Sequence, residues 1–100
     1  MPRPKKHRRI KCCPAAYYFK PRGIPMCELL ENILAEDEVE AVYWADLKGF
    51  DHEAGARKMR ISRPTFGRIL KSARSKIADA LINGKALSIN QDYFNKLKEE

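Results

Sequence analysis

The chain has 100 residues, of which 44% are hydrophobic, and a formal net charge of +7 at pH 7. This length fits one domain with a thin core, and no apolar run approaches the roughly 20 residues of a membrane-spanning helix. The start, Met-Pro-Arg-Pro-Lys-Lys, is basic and is not a secretory signal. We therefore expect a cytoplasmic protein without a membrane partner.

The charges are sorted into four blocks along the chain. Residues 1–22 hold eight Lys/Arg and no acid, residues 28–53 hold nine acids and one Lys, and residues 54–76 again hold eight Lys/Arg and no acid. Residues 77–100 hold three Lys and four acids. Two cationic segments in so small a chain favour a polyanionic partner, most simply nucleic acid. We interpret the acidic block as the solvated faces of the first helices.

The first segment is predicted to be an arm. Residues 1–25 contain five of the six prolines, which favours extended or irregular backbone. The aromatic cluster Tyr17–Phe19 could hold this arm against the folded body. Its cations could follow phosphates or enter the minor groove, and the alternative is a tail that only improves solubility. The predicted DNA contacts of the arm are Arg3, Lys5, Lys6, Arg8 and Arg9.

Helical periodicity dominates the rest of the chain and predicts an all-α fold, a small helical bundle. We place the helical domain at residues 26–84 and a C-terminal extension at residues 85–100. The apolar spacing at 29–34 fits one or two helical turns. Asp37, followed three residues later by Glu40, is the predicted N-cap of the next helix. A further helix is predicted near residues 93–97.

A helix-turn-helix pattern occupies the second basic block. One helix is predicted over residues 51–59, and a break follows at residues 60–62. Ser62 can cap a second helix, whose apolar residues recur at helical spacing to about residue 82. Ala56 is small at a point where the two helices must approach each other closely.

The outer face of this second helix carries Arg, Lys and Ser, and no carboxylate occurs from residue 54 to residue 76. Carboxylates would repel phosphate groups, so their absence has a direct reason if this face enters a DNA groove. The side chains predicted to reach base edges are Ser62, Arg63, Thr65 and Arg68. Those predicted to lie at the phosphates are Arg57, Lys58, Lys71, Arg74 and Lys76, with Ser72 beside them. The competing interpretation is a solvated basic face of an ordinary helical bundle.

Several motifs match, in order, those of a family of small prokaryotic proteins. They are Arg3-Pro4, Arg8-Arg9-Ile10, Phe19-Lys20-Pro21-Arg22-Gly23-Ile24-Pro25, Asp37-Glu38, Glu40-Ala41, Ala45-Asp46-Leu47 with Gly49, Ala56, Met59, Ile61-Ser62-Arg63-Pro64-Thr65-Phe66-Gly67-Arg68, Ala73-Arg74 with Lys76, and Gly84-Lys85-Ala86-Leu87. On these residues the chain resembles uncharacterised protein family 0251, also called domain of unknown function 134. The resemblance implies a helix-turn-helix like that of sigma-factor region 4, and with it DNA binding.

The resemblance also marks a departure at the turn between the two helices. The usual turn residue of the family is glycine, and this chain has Arg60 instead. If that residue needs a positive φ, a side chain there costs on the order of 1 kcal/mol.

Other classes of function stay open at this point. Cys12, Cys13 and Cys27 are an odd number of thiols without an export signal, which argues against disulfides. Together with His7 they could form a metal or redox site in a responsive regulator, although the chain has no Cys-x-x-Cys pair. We expect no catalysis and no cofactor, since neither His7 nor His52 has an evident nucleophile partner.

The partner could also be RNA or RNA polymerase instead of duplex DNA. The aromatic cluster at 17–19 has no strand pattern around it, so we do not expect a base-stacking platform. A homodimer would add the specificity that one short recognition helix lacks. The sequence as a whole predicts a protein that binds double-stranded DNA and regulates transcription.

Overall fold

The computed structural model describes residues 14–90, which form three α-helices and one three-stranded sheet. The strands are β1 (Tyr18–Phe19), β2 (Glu31–Leu34) and β3 (Ala86–Ile89). The helices are α1 (Glu36–Val42), α2 (His52–Met59) and α3 (Arg63–Asn83). A 3₁₀ turn at Met26–Glu28 precedes β2, and a π-helical turn at Tyr43–Leu47 continues α1.

The sheet makes this a small α/β fold, so the all-α prediction was wrong. β3 is the central strand, antiparallel to β1 and parallel to β2. The apolar residues at 29–34, which predicted helical turns, lead into and form β2. The strands have only two to four residues each, too few for a period of two to stand out in the sequence.

The sheet joins the two ends of the described chain. Phe19 of β1 lies opposite Leu87 of β3, and the backbone N–H of Ile89 donates to the carbonyl oxygen of Tyr17 at 2.9 Å. Tyr17 also packs against a small core cluster that contains Leu34 and Ile89. The aromatic cluster therefore holds its segment against the folded body, as the sequence predicted.

The start of α1 differs from the prediction. The N-cap residue is Ala35, and its backbone N–H donates to the Glu38 carboxylate at 2.8 Å. Asp37, the predicted cap, is instead buried inside the first turn, as are Glu38 and Glu40 within the helix. The interpretation of the acidic block as solvated was therefore wrong for these three residues. The indole N–H of Trp44 donates to Glu40 at 2.7 Å, which helps this fully buried carboxylate to satisfy its hydrogen bonding.

The boundaries of the two helices on either side of residues 60–62 agree with the prediction. Asp51 caps α2 by accepting the backbone N–H of Ala54 at 2.8 Å. Ser62 caps α3 by accepting the backbone N–H of Thr65 at 3.3 Å. α3 ends at Gly84, whose φ of 67° places it in the left-handed region that glycine tolerates.

α2 packs closely against α3 at Gly55, and the predicted Ala56 beside it is also buried in the core. A Cβ atom added to Gly55 would lie 2.5 Å from Cζ of Phe66, so no side chain fits there. Phe66 is fully buried and packs with Met59, Leu70 and Trp44 in the main core cluster. None of the helices within residues 14–90 combines the length and the hydrophobicity that a membrane span requires.

Arg60, which stands where the family usually has glycine, adopts a left-handed backbone conformation. Its φ is 57° and its ψ is 45°, and its backbone N–H donates to the carbonyl oxygens of Ala56 and Arg57.

We expect Arg60→Gly to raise the free energy of unfolding by about 1 kcal/mol in urea denaturation, since glycine has no Cβ atom to disfavour the left-handed conformation. The matched variant Arg57→Gly, inside α2, should lower it by about 1 kcal/mol. If Arg60→Gly lowered the free energy of unfolding, the positive φ of Arg60 would not be a source of backbone strain.

Candidate nucleic-acid interface

One face of α3 is exposed and polar along its first three turns. Pro64, Arg68, Lys71 and Ser75 follow one another at helical spacing, and all four are exposed. The opposite face is buried in the core clusters. The predicted outward orientation of this basic face is confirmed. We call it the basic face and define it by these four residues with Arg63 at its start, which is also exposed.

A chain of hydrogen bonds joins three of the predicted base-reading side chains. The Ser62 hydroxyl donates to Oγ1 of Thr65 at 2.8 Å. Nη2 of Arg68 donates to the same oxygen at 3.3 Å. Because Ser62 also caps the helix, the first turn of α3 fixes the positions of these polar groups relative to the backbone.

The two predicted phosphate contacts on α2 are exposed side chains near the last turn of that helix. Arg57 and Lys58 have no ion pair within residues 14–90. The ammonium of Lys58 lies 5.4 Å from the centre of the Trp44 ring and 5.9 Å from that of Phe50. Cation–π attraction therefore holds this charge at a defined place on the surface.

Three other predicted contacts are bound by acids of the same protein. Arg74 makes a bidentate ion pair with Asp46, at 3.1 Å from Nε and 2.6 Å from Nη2, and this hydrogen bonding raises the pKa of Arg74. The Ser72 hydroxyl donates to Glu38 at 2.6 Å, and Nζ of Lys76 donates to the same carboxylate at 2.7 Å. Sequence spacing did not reveal these pairs, because the partners are 28 to 38 residues apart.

Glu38 is the acid that ties α1 to α3. Burial raises the pKa of its carboxyl group, but hydrogen bonds from Ala35, Lys76 and Ser72 outweigh that effect and hold the pKa below its ordinary value. The carboxylate is therefore charged at neutral pH. Because it anchors α1 against the flank of α3, it fixes the orientation of the basic face relative to the rest of the molecule.

Glu38→Gln should lower the free energy of unfolding by about 2 kcal/mol at neutral pH, since an amide cannot accept all three bonds. The folded-state pKa is below the ordinary value of 4.5, so the stabilisation by Glu38 is present above that pH and is lost as pH falls through the folded-state value. Urea denaturation at a series of pH values should therefore show the difference between wild type and variant shrinking in acid. Exposed Glu28→Gln is the control, with little effect at any pH. A constant difference would contradict this role.

The flank of α3 borders an open groove of about 390 Å³ that carries charges of both signs. The groove is lined by Ala35, Asp37, Glu38, Arg68, Ile69, Ser72 and Lys76. At this groove Asp37 and Glu38 border the basic face, and on another side of α3 Asp46 lies beside Arg74. An approaching polyanion would be attracted to the exposed cations of the basic face.

The metal-site alternative and the arm depend on residues outside the described part of the chain. Cys27 is an exposed free thiol. Among residues 14–90, no three His, Cys, Asp or Glu side chains are grouped so that they could hold a metal ion. His7, Cys12 and Cys13 lie outside this range, as does the predicted helix near 93–97. So do the arm cations Arg3, Lys5, Lys6, Arg8 and Arg9, whose contacts stay predictions.

Comparison with known proteins places the chain in a family. The family model described as "Protein of unknown function DUF134" matches residues 1–96. A UPF0251 protein of Pelotomaculum thermopropionicum is 55% identical over 94 residues, which are 94% of this chain and 71% of that protein. A UPF0251 protein of Moorella thermoacetica is 48% identical over 95% of this chain and 64% of its own length. A UPF0251 protein of Thermoanaerobacter sp. (strain X514) is 47% identical over 100% of this chain and 88% of its own length. No solved structure matches the chain. The chain therefore belongs to the DUF134 family, whose relatives carry the name UPF0251.

Proposed function

We propose that this protein binds double-stranded DNA in a sequence-specific manner and acts as a transcriptional regulator, with α3 as the helix that enters the major groove. The observation that carries the proposal is the basic face. Its cations Arg63, Arg68 and Lys71 are exposed and have no acid partner within residues 14–90, while the opposite side of the same helix is locked into the core.

The dimensions of α3 suit this role. From residue 63 to residue 75 the helix rises about 18 Å, and the major groove of B-form DNA, about 12 Å wide, admits one α-helix. The first turn of the helix carries the hydrogen-bonded polar groups that could reach base edges. Arg57 and Lys58, on the preceding helix, would then lie near the sugar-phosphate backbone, as the first helix does in helix-turn-helix complexes.

Internal ion pairing concentrates the positive charge on one region. Asp46 and Glu38 neutralise Arg74 and Lys76. The exposed cations between residues 57 and 71 that lack an acid partner in the described part of the chain are Arg57, Lys58, Arg60, Arg63, Arg68 and Lys71. If these helices and the basic arm together make about six phosphate contacts, log K should fall with log salt concentration at a slope near −5.

The test is selection of bound duplexes from a random pool, followed by competition at fixed salt. We expect one duplex sequence to be enriched, and we expect a non-specific duplex and an RNA of the same sequence to compete poorly with it for the protein. If no sequence is enriched, sequence-specific binding is overturned. If the RNA competes better than the duplex, the RNA alternative is favoured. Contact with RNA polymerase and formation of a homodimer stay predictions.

One observation bears on the RNA alternative. Contrary to the expectation from the sequence, Tyr18 and Phe19 do lie in a sheet, and they are 40% and 55% exposed. Adjacent strand residues point to opposite faces, so these two rings cannot form a shared platform for successive bases. The basic face is therefore the better supported surface for a nucleic acid.

A further inference from the structure

We propose that Thr65 is a positioning residue that presents Arg68 to a guanine, so that the recognised duplex carries a guanine at the base pair opposite Arg68. This inference rests on the proposed function and deepens it, because it names a base and a device that selects it. It follows from the hydrogen-bonding capacity of the Ser62–Thr65–Arg68 chain.

The Thr65 hydroxyl has no accepting capacity left for DNA. A hydroxyl group offers one donor and two acceptor lone pairs. Ser62 and Arg68 both donate to Oγ1 of Thr65, at 2.8 and 3.3 Å, and so occupy both lone pairs. The O–H of Thr65 remains as a donor, and the guanidinium of Arg68 carries donors alone.

A surface that presents only donors matches one base better than the others. In the major groove guanine offers two acceptors, N7 and O6, whereas adenine pairs one acceptor with a donor, cytosine offers a donor, and thymine offers one acceptor beside a methyl group. Arg68 and Thr65 together therefore favour guanine. At adenine or cytosine a donor of the protein would face the amino group of the base, which is also a donor.

The contact with Thr65 also limits the freedom of the Arg68 side chain. A long exposed side chain loses conformational entropy when it binds, and prior anchoring lowers that loss. Arg74, on the same helix, is not equivalent, because the Asp46 carboxylate already occupies the edge of its guanidinium formed by Nε and Nη2. Arg68 has no acid partner within residues 14–90, so its remaining donors stay available to a base.

The test compares wild type with Thr65→Val and Thr65→Ser on the duplex that wild type selects. Valine has the shape of threonine without the hydroxyl, and it keeps the backbone N–H that Ser62 caps. Replacing each guanine in turn by 7-deazaguanine removes the N7 acceptor. For wild type, one such replacement should weaken binding about tenfold. Thr65→Val should bind the unmodified duplex about tenfold more weakly and discriminate poorly at that guanine, and Thr65→Ser should restore both.

The dependence of binding on salt separates base reading from a general loss of the interface. All three proteins should give the same slope of log K against log salt, because the phosphate contacts are unchanged. If no guanine replacement matters, or if Thr65→Val discriminates as wild type does, the inference is overturned and the proposed function stands. If wild type selects no duplex at all, both are overturned.

Discussion

Arg68→Glu is expected to abolish duplex binding, with at least about a 100-fold loss of affinity, and to leave the helical circular-dichroism signal unchanged. The substitution places an anion at the centre of the basic face, where phosphates and base acceptors would approach. Stability should be nearly unaffected, because Arg68 is exposed and its hydrogen bond in the described chain is with Thr65 alone. Binding is measured by fluorescence anisotropy at fixed salt.

The matched control is Arg22→Glu, which changes the net charge by the same amount. Arg22 follows Pro21, which lines an apolar pocket together with Leu81 and Gly84 at the far end of α3. At 1.5 Å per residue, that end lies about 24 Å from Arg68 along the helix. We expect this variant to keep most of its affinity. Equal losses in the two variants would mean that net charge, and not the basic face, determines binding.

Gly55→Ala is expected to lower the free energy of unfolding by about 3 kcal/mol, although alanine by itself favours a helix by about 1 kcal/mol. The added methyl group would lie 2.5 Å from the ring of Phe66, which is fully buried. Because protein cores are close-packed, moving this ring is costly. Because this contact sets the distance between α2 and α3, duplex affinity should fall as well. Urea denaturation measures the first effect.

A second glycine in the same pair of helices provides the control. A Cβ atom added to Gly67 would meet His52 at 3.7 Å, which is an ordinary contact. Gly67→Ala should therefore raise stability by about 1 kcal/mol. Combining Gly55→Ala with Phe66→Leu should cost less than the sum of the two single changes, since the smaller side chain relieves the clash. Strictly additive losses would contradict the contact.

The sequence predicted the bounds of α2 and α3 closely because the signals for those bounds are local. Asp51 and Ser62 begin α2 and α3 as side-chain caps, and Gly84 ends α3 with a positive φ. Each signal acts within one turn of the helix that it bounds, so it can be recognised without the tertiary structure. The outward orientation of the basic face follows from the same periodicity.

The sheet could not be predicted in this way. β2 and β3 pair through residues more than 50 positions apart, such as Glu31 with Ala86. Leu30 and Ile33, whose spacing suggested a helix, are exposed on and beside an edge strand, so their apolar character does not report burial. Which short segments pair is decided by contacts across the whole chain.

Acids and bases of neighbouring charge blocks form ion pairs in the folded protein, which the sequence analysis did not predict. The acidic block at 28–53 was interpreted as solvated, but Glu38 and Asp46 bind Lys76 and Arg74 of the following basic block. Opposite charges separated along the chain thus attract each other in the folded protein. Within residues 14–90, the cations of this basic block without an acid partner are those of the basic face together with Arg57, Lys58 and Arg60.

The pairing of β1 with β3 affects how the basic arm can be removed experimentally. A deletion through residue 25 would strip an outer strand from the sheet and uncover the side chain of Leu87, which Phe19 faces. Weak DNA binding by such a truncated protein would then reflect damaged folding and would say nothing about the missing cations. A shortened protein that begins upstream of Tyr17 keeps the sheet whole, and only this version isolates the contribution of the arm.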